Sequence, residues 1–370
     1  MAHRAFQIQQ ETPATSNIFA PNYAVTGIRS YAADNTNTVL ITGSCPPRGT
    51  SGIQAMLYKG PLSPPATAQP TPLTPYFSNS EIAIYSSIFY GPNTPVFFNP
   101  NSTSVRAVGT YNYSNDPWKY NNGMLYQGPL DGSVSTEYWI RIDMPAANVI
   151  NMIPHSTMGE LIVGNYQVEG MGKDDFNAFV CLVNASGAPQ WCKPLKLVSP
   201  ETGQPLILVT AYGIWKNDDV SRPYTIVGGY KPNGKSGEPN VAYLVDYNPS
   251  SPDASLKPTP ITYGNPPQPI LHFEGITRFS ANCYSLAAMD QNGGAAFAIV
   301  KRNPNGSFFP EADWQPVQYS TGSGTPPSGT TTANTVLTNN LYGIFKPASG
   351  NSVQSYVAPN LPPPTAFNCS

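Results

Sequence analysis

The sequence predicts an all-β chain, a six-bladed β-propeller with four antiparallel strands per blade and an N-terminal strand closing the last blade. Three observations predict it. The 370 residues include 41 Pro, 31 Gly and 22 Tyr; Pro and Gly break helices, and Tyr suits a half-buried pleated surface. No long stretch carries apolar residues at the 3.6-residue helical spacing. One pattern recurs six times at intervals near sixty residues, as a repeat architecture requires.

The recurring unit is an apolar strand ending in a small-residue pair, a polar loop, and a short strand with an early aromatic. Its copies read ITGS then AMLYKG (41–44, 55–60), AVGTY then GMLYQG (107–111, 123–128), and IVGNY then AFVCLV (162–166, 178–183). IVGGY then AYLVDY follow (226–230, 242–247), then the weaker LAAMD/AFAIVK (286–290, 296–301) and LYGIF/SYVAP (341–345, 355–359). The second small residue anchors each copy: Gly43, Gly109, Gly164, Gly228, Ala288 and Gly343, spaced 66, 55, 64, 60 and 55 apart. A glycine inside a strand marks a bulge or a close backbone approach. Collision with the next blade near the axis is the expected reason here.

Two flanking strands complete each unit. Upstream, Gly-Ile recurs at Gly27-Ile28, Gly213-Ile214 and Gly275-Ile276. Downstream lies an alternating strand, Tyr138 to Met144, Trp191 to Leu197 and Trp314 to Tyr319. Four strands make one propeller blade. One domain over 1–370 is expected, with blades near 24–80, 81–145, 146–200, 201–264, 265–322 and 323–360. The Pro-rich C-terminus makes a poor fourth strand, so residues 4–11 are expected to supply the outer strand of the last blade and leave no open edge.

The second unit carries a family likeness. Val105 to Tyr111 (VRAVGTY), Gly123 to Gly128 (GMLYQG) and Trp139 to Pro145 (WIRIDMP) resemble the HAF repeats of bacterial extracellular-type proteins. The likeness runs through units one to four, about residues 24–250, and fades where Ala288 replaces Gly. It implies a propeller-like repeat fold and no particular reaction, since fold does not fix function.

Composition removes several function classes. Net charge is −2 and the only adjacent cationic pair is Lys301-Arg302, so the clustered Lys and Arg of a nucleic-acid surface are missing. No apolar run approaches the ~18 residues of a membrane span. The first sixteen residues lack a secretion-signal core, so the protein is expected to be cytoplasmic, or secreted with its leader missing from this sequence. Five Cys (45, 181, 192, 283, 369) lie at irregular spacing without C-x-x-C; Cys181 and Cys192 can pair, though buried free thiols are the expectation. Five N-x-S/T sequons begin at Asn101, Asn112, Asn184, Asn305 and Asn368. No metal site and no cofactor are expected, and the partner is a small-molecule or glycan ligand met by a monomer.

Innermost propeller strands line an axial channel whose mouth is the usual ligand site. The expected innermost segments are 24–29, 94–99, 149–155, 210–215, 271–278 and 334–338. They carry Arg29, His155, Tyr212, Trp215, His272, Glu274 and Arg278. His155, His272 and Glu274 are the candidate catalytic groups, being proton-transfer side chains. His272 and Glu274, two apart in a strand, share a face. Arg29, Tyr212, Trp215 and Arg278 are the candidate ligand-binding residues; Arg29 and Arg278 offer paired donors to an anionic oxygen group. Structural readings stand beside these: channel residues are polar anyway, and an Arg near Glu274 is often a plain ion pair. The doublets Asp174-Asp175 and Asp218-Asp219 read as solvated turns, since the calcium-loop motif is absent. Tyr85, Tyr90, Tyr113, Trp118 and Tyr120 cluster in and around the first two inter-strand loops, either stacking sugars or filling gaps between blades. No nucleophile-elbow, zinc-protease or phosphate-loop motif occurs.

The leading expectation is a recognition propeller holding a glycan or small polar molecule at the channel mouth. The alternative is a lyase, hydrolase or cyclase working through His155, His272 or Glu274. A third is a structural or protein-interaction scaffold.

Overall fold

The computed structural model describes residues 15–31, 37–47, 52–78, 82–116, 120–263, 268–290, 294–320, 328–349, 352–361 and 369. Each apolar strand identified above sits second or third in a four-stranded antiparallel sheet, where both faces meet neighbouring sheets. Blade 1 is Ala24–Ser30, Thr38–Cys45, Gln54–Pro61 and Thr71–Leu73; blade 2 is Ile84–Asn93, Val105–Tyr113, Asn122–Gly128 and Trp139–Ile142. Blade 3 is Val149–Met158, Leu161–Val168, Asn177–Val183 and Pro189–Pro194; blade 4 is Val209–Lys216, Tyr224–Tyr230, Val241–Tyr247 and Thr259–Pro260. Blade 5 is Gln268–Arg278, Cys283–Asp290, Ala295–Arg302 and Phe308–Val317. Ahead of it Thr262–Tyr263 pairs with the start of the inner strand and, through Thr262 and Glu311, with the outer one. Blade 6 has a split inner strand, Gly329–Thr331 and Thr335–Leu337, then Asn340–Pro347 and Gln354–Ala358. Its outer strand is Ser16–Asn17, paired to Val357 and Tyr356. The N-terminal segment therefore closes the ring, as a propeller without exposed edges demands. Residues 4–11, expected to do so, lie outside the described residues.

Period-2 alternation explains why the central strands are apolar throughout. Leu161 and Val163 pack toward blade 4, while Ile162 between them packs toward blade 2. Six buried clusters result, one between each pair of successive blades. The core is thus a cycle of inter-blade layers and no sheet has a wet face at its centre. Among the described residues almost no helix is present: one four-residue turn, Pro95–Phe98, follows the inner strand of blade 2, and a 3-10 turn, Thr136–Tyr138, precedes its outer strand.

Two expectations are corrected. The innermost strand of blade 2 is Ile84–Asn93, not 94–99. Gly91, Pro92 and Pro95 read as loop signals, but Gly91 and Pro92 sit within the strand, beyond its bulge. Four of the five cysteines are not free thiols: Cys181 bonds Cys192, its direct cross-strand partner, and Cys283 bonds Cys369. Cys45 is a buried thiol.

Candidate functional site at the propeller axis

The anchor glycines position the site. A Cβ on Gly43, Gly109, Gly164, Gly228 or Gly343 would lie 1.8–2.2 Å from a carbonyl oxygen of the inner strand of the same blade. The obstruction is therefore within the blade, not from the next sheet as expected. It arises because the inner strand bulges there: one residue loses its ladder partner, between Val25 and Gly27, Phe89 and Gly91, Pro154 and Ser156, Ala211 and Gly213, and Phe273 and Gly275. In blade 6 the break between its two inner segments holds Asn334 at the same level. Bulges re-aim a side chain. Thr26, Tyr90, His155, Tyr212, Glu274 and Asn334 are the six re-aimed residues, one per blade, each half-buried between buried neighbours. Blade 5, whose anchor is Ala288, carries a second bulge between Ile270 and His272, and the His272 ring lies against Tyr212.

The residue after each bulge is small because the next blade comes close. A Cβ on Gly27 would meet the Tyr90 carbonyl, one on Gly91 the His155 carbonyl, and Gly213 faces the Gly275 backbone of blade 5. That is the reason for the Gly-Ile signal in the sequence.

Four inward rings form one contiguous row, tilted, edge-on and stacked in turn. Tyr90 packs on His155 with ring centroids 4.7 Å apart, His155 on Tyr212 at 4.5 Å, and Tyr212 on His272 at 4.4 Å. His272 Nε2 lies 2.6 Å from Glu274 Oε1. Blades 2 to 5 thus contribute an aromatic half-ring that ends in a His–Glu pair. The other half is small and committed to backbone: Thr26 Oγ1 donates to the Phe89 carbonyl and Asn334 Nδ2 to the Val25 carbonyl.

Burial sets the protonation pattern. Desolvation pushes His155 down to about 4, partly opposed by the Glu274 charge and aided by His272, so His155 is neutral at pH 7. Burial also raises the Tyr90 and Tyr212 hydroxyls, with the Glu274 charge adding to both. Glu274 therefore acts electrostatically on three blades' side chains at once.

Of the sequence candidates, His155, Tyr212, His272 and Glu274 converge. Arg29 and Trp215 lie together just beneath them, the guanidinium 5.8 Å from the indole ring. Arg29 crosses the axis, its Nη2 donating to Ser156 Oγ at 3.4 Å and the Ile214 carbonyl at 3.0 Å. Arg278 is not brought in. It stands four residues past Glu274, roughly 13 Å along the strand, and pairs with Asp218 at the opposite rim. Asp219 caps Ser221 and pairs with Arg222, while Asp175 is buried against Lys231 at 2.5 Å. Of the aromatics expected in and around loops, Tyr90 lies in the inner strand of blade 2 against His155 and Tyr113 meets Tyr111 edge-on; Trp118 lies outside the described residues. Thr26 and Asn334 were missed, although a signal exists: each re-aimed residue directly precedes a small residue followed by Ile, Pro, Thr or Val. Among the described residues no three His, Cys, Asp or Glu are placed to hold a metal.

No family model and no curated protein matches this chain, so the HAF likeness stays with the residues that carry it. Solved structures do match in shape. A protein of unknown function from Dyadobacter fermentans is 11% identical with TM-score 0.52, covering 94% of this chain and 98% of its own. The gluconolactonase PpgL of Pseudomonas aeruginosa is 15% identical with TM-score 0.42, covering 85% and 77%. A GH43_1 enzyme from Xanthomonas citri, solved with xylotriose, is 11% identical with TM-score 0.42, covering 80% and 93%. At such identities likeness speaks to fold alone; the chain is a six-bladed β-propeller.

Proposed function

We propose that this protein is a recognition propeller that binds a small polar molecule, a glycan foremost, in its axial channel. One observation carries the reading: the contiguous row of rings Tyr90, His155, Tyr212 and His272, contributed by four successive blades and ending at Glu274. An aromatic face is negative at its centre and attracts the weakly positive C–H edges of a sugar ring. Sites of this kind combine an apolar wall with a few convergent polar groups that fix orientation. His272 and Glu274 supply those groups for hydroxyls, and neutral His155 adds another. The test is a glycan panel read by intrinsic fluorescence. Wild type is expected to respond to a subset of sugars and Tyr212→Ala to lose that response; a panel without hits counts against the reading.

The His272–Glu274 bond favours one second reading, an enzyme that moves a proton in the same channel. A carboxylate bonded to an imidazole is suited to hold or accept a proton at His272 Nε2. Turnover of a lactone or glycoside that survives Glu274→Gln excludes it.

A further inference from the structure

We infer that the channel's ligand carries a carboxylate, and that Arg29 holds it beneath the aromatic row; this rests on the reading of the channel as a ligand site. Arg29 is 4% exposed. Its guanidinium bridges from blade 1 to blades 3 and 4, so it forms a floor across the axis. Of its five N–H groups three are used, on the Ile28 and Ile214 carbonyls and Ser156 Oγ, and Nε has no hydrogen-bond partner. Among the described residues no carboxylate stands within ion-pair distance. The other enclosed cations are provided for. Lys231 meets Asp175, Arg302 meets Asp246 through two oxygens, and Arg106 donates to Gln127 and three carbonyls.

A buried charge without an opposite charge is costly to keep, and an apolar side chain of similar volume would do better unless something else demands the charge. The level is marked by further idle groups. Arg29, Asn93 and Trp215 each stand three residues past their blade's bulge, and Asn93 Oδ1 and Trp215 Nε1 are also buried without partners. Through its bonds to Ser156 and Ile214 the guanidinium rises to within one or two residues of the ring layer. A ligand lying against the rings therefore has its lower end at Arg29.

The charge type follows from the balance. One cation faces the site from below, while Glu274 sits at ring level and bonds to His272. A single carboxylate matches one guanidinium; a dianion would meet Glu274 as well. The upper, neutral end of the ligand meets the His272–Glu274 pair.

The experiment is calorimetric titration of galacturonate, glucuronate and gluconate beside galactose, glucose and acetate. It uses wild type, Tyr212→Ala, Arg29→Met and Arg29→Lys, each checked for its melting temperature. At least one sugar acid is expected to bind tenfold or more tighter than its neutral counterpart and than acetate. Arg29→Met is expected to erase that preference, Arg29→Lys to restore part of it, and Tyr212→Ala to weaken binding. Should Arg29→Met not fold, a preference in Arg29→Lys that is reduced from wild type serves instead. Sugar-acid binding lost in Tyr212→Ala but unchanged in both Arg29 variants overturns the assignment of Arg29 and leaves the channel reading standing. Acetate binding as tightly as the sugar acids overturns a ligand-borne carboxylate. No binding by any sugar or acid overturns both.

Discussion

A Cβ on Gly228 would lie 1.9 Å from the carbonyl oxygen of Thr210, and this contact decides where Tyr212 points. The inner strand bulges at Tyr212, the Thr210 carbonyl swings toward the second strand, and only a glycine leaves room. Gly228→Ala should therefore cost about 1–3 kcal/mol by overpacking and disturb the Tyr212–His272 stack. Blade 5 is the control. There an alanine, Ala288, already stands at the anchor place, so Ala288→Gly should cost only about 0.5–1 kcal/mol, through backbone entropy. Denaturant unfolding of the two variants checks this; equal losses would contradict the geometry.

His155 should make the fold acid-sensitive. Its folded pKa of about 4 lies below the ordinary 6.5. Between these values the unfolded chain binds a proton that the folded chain does not, so stability rises with pH across the window. The contribution is complete above about 6.5 and lost as pH falls toward 4, amounting to about 3 kcal/mol at most. His155→Phe should flatten that part of the stability profile, and ring-proton NMR of wild type should show no titration of His155 near pH 6.5.

The two disulfides should differ in worth. Cys283–Cys369 spans 86 residues and ties blade 5 to the C-terminal end of the chain, whereas Cys181–Cys192 spans 11 within one blade. Loop-closure entropy assigns about 4.6 and about 2.8 kcal/mol respectively. Paired Cys→Ser variants in thermal unfolding should rank in that order.

Arg106 should prove structural. It is fully buried in the second strand of blade 2, lies over the Phe98 ring at 4.2 Å, and donates to Gln127 and the Gly159, Asn184 and Ala185 carbonyls. Arg106→Met strands those acceptors between blades 2 and 3 and should cost about 3–5 kcal/mol. A loss under about 1 kcal/mol in chemical denaturation would show the network to be dispensable.

The ring was legible in the sequence because each blade needs one small residue at a fixed place, and that need repeats from Gly43 to Gly343. The residues facing the axis were less legible. A bulge adds one unpaired residue without a sequence mark of its own, so Thr26 and Asn334 passed unnoticed, and Tyr90 vanished behind Gly91 and Pro92. His155, Tyr212, His272 and Glu274 were visible because reactive side chains are rare in this chain. Arg278 shows the limit: alternation places it on the same strand as Glu274, but only the register puts it at the far rim beside Asp218. Cys283 and Cys369 lie too far apart in sequence for spacing to pair them.

The central claim is that the aromatic half-ring at the axis is where ligand sits. Saturation-transfer NMR against a library of small polar molecules and oligosaccharides tests it most directly, on wild type, Tyr212→Ala and the off-axis control Tyr113→Ala. The account predicts hits whose apparent affinity falls at least tenfold in Tyr212→Ala and stays unchanged in Tyr113→Ala. Hits that survive loss of the Tyr212 ring, or vanish with Tyr113, would contradict it.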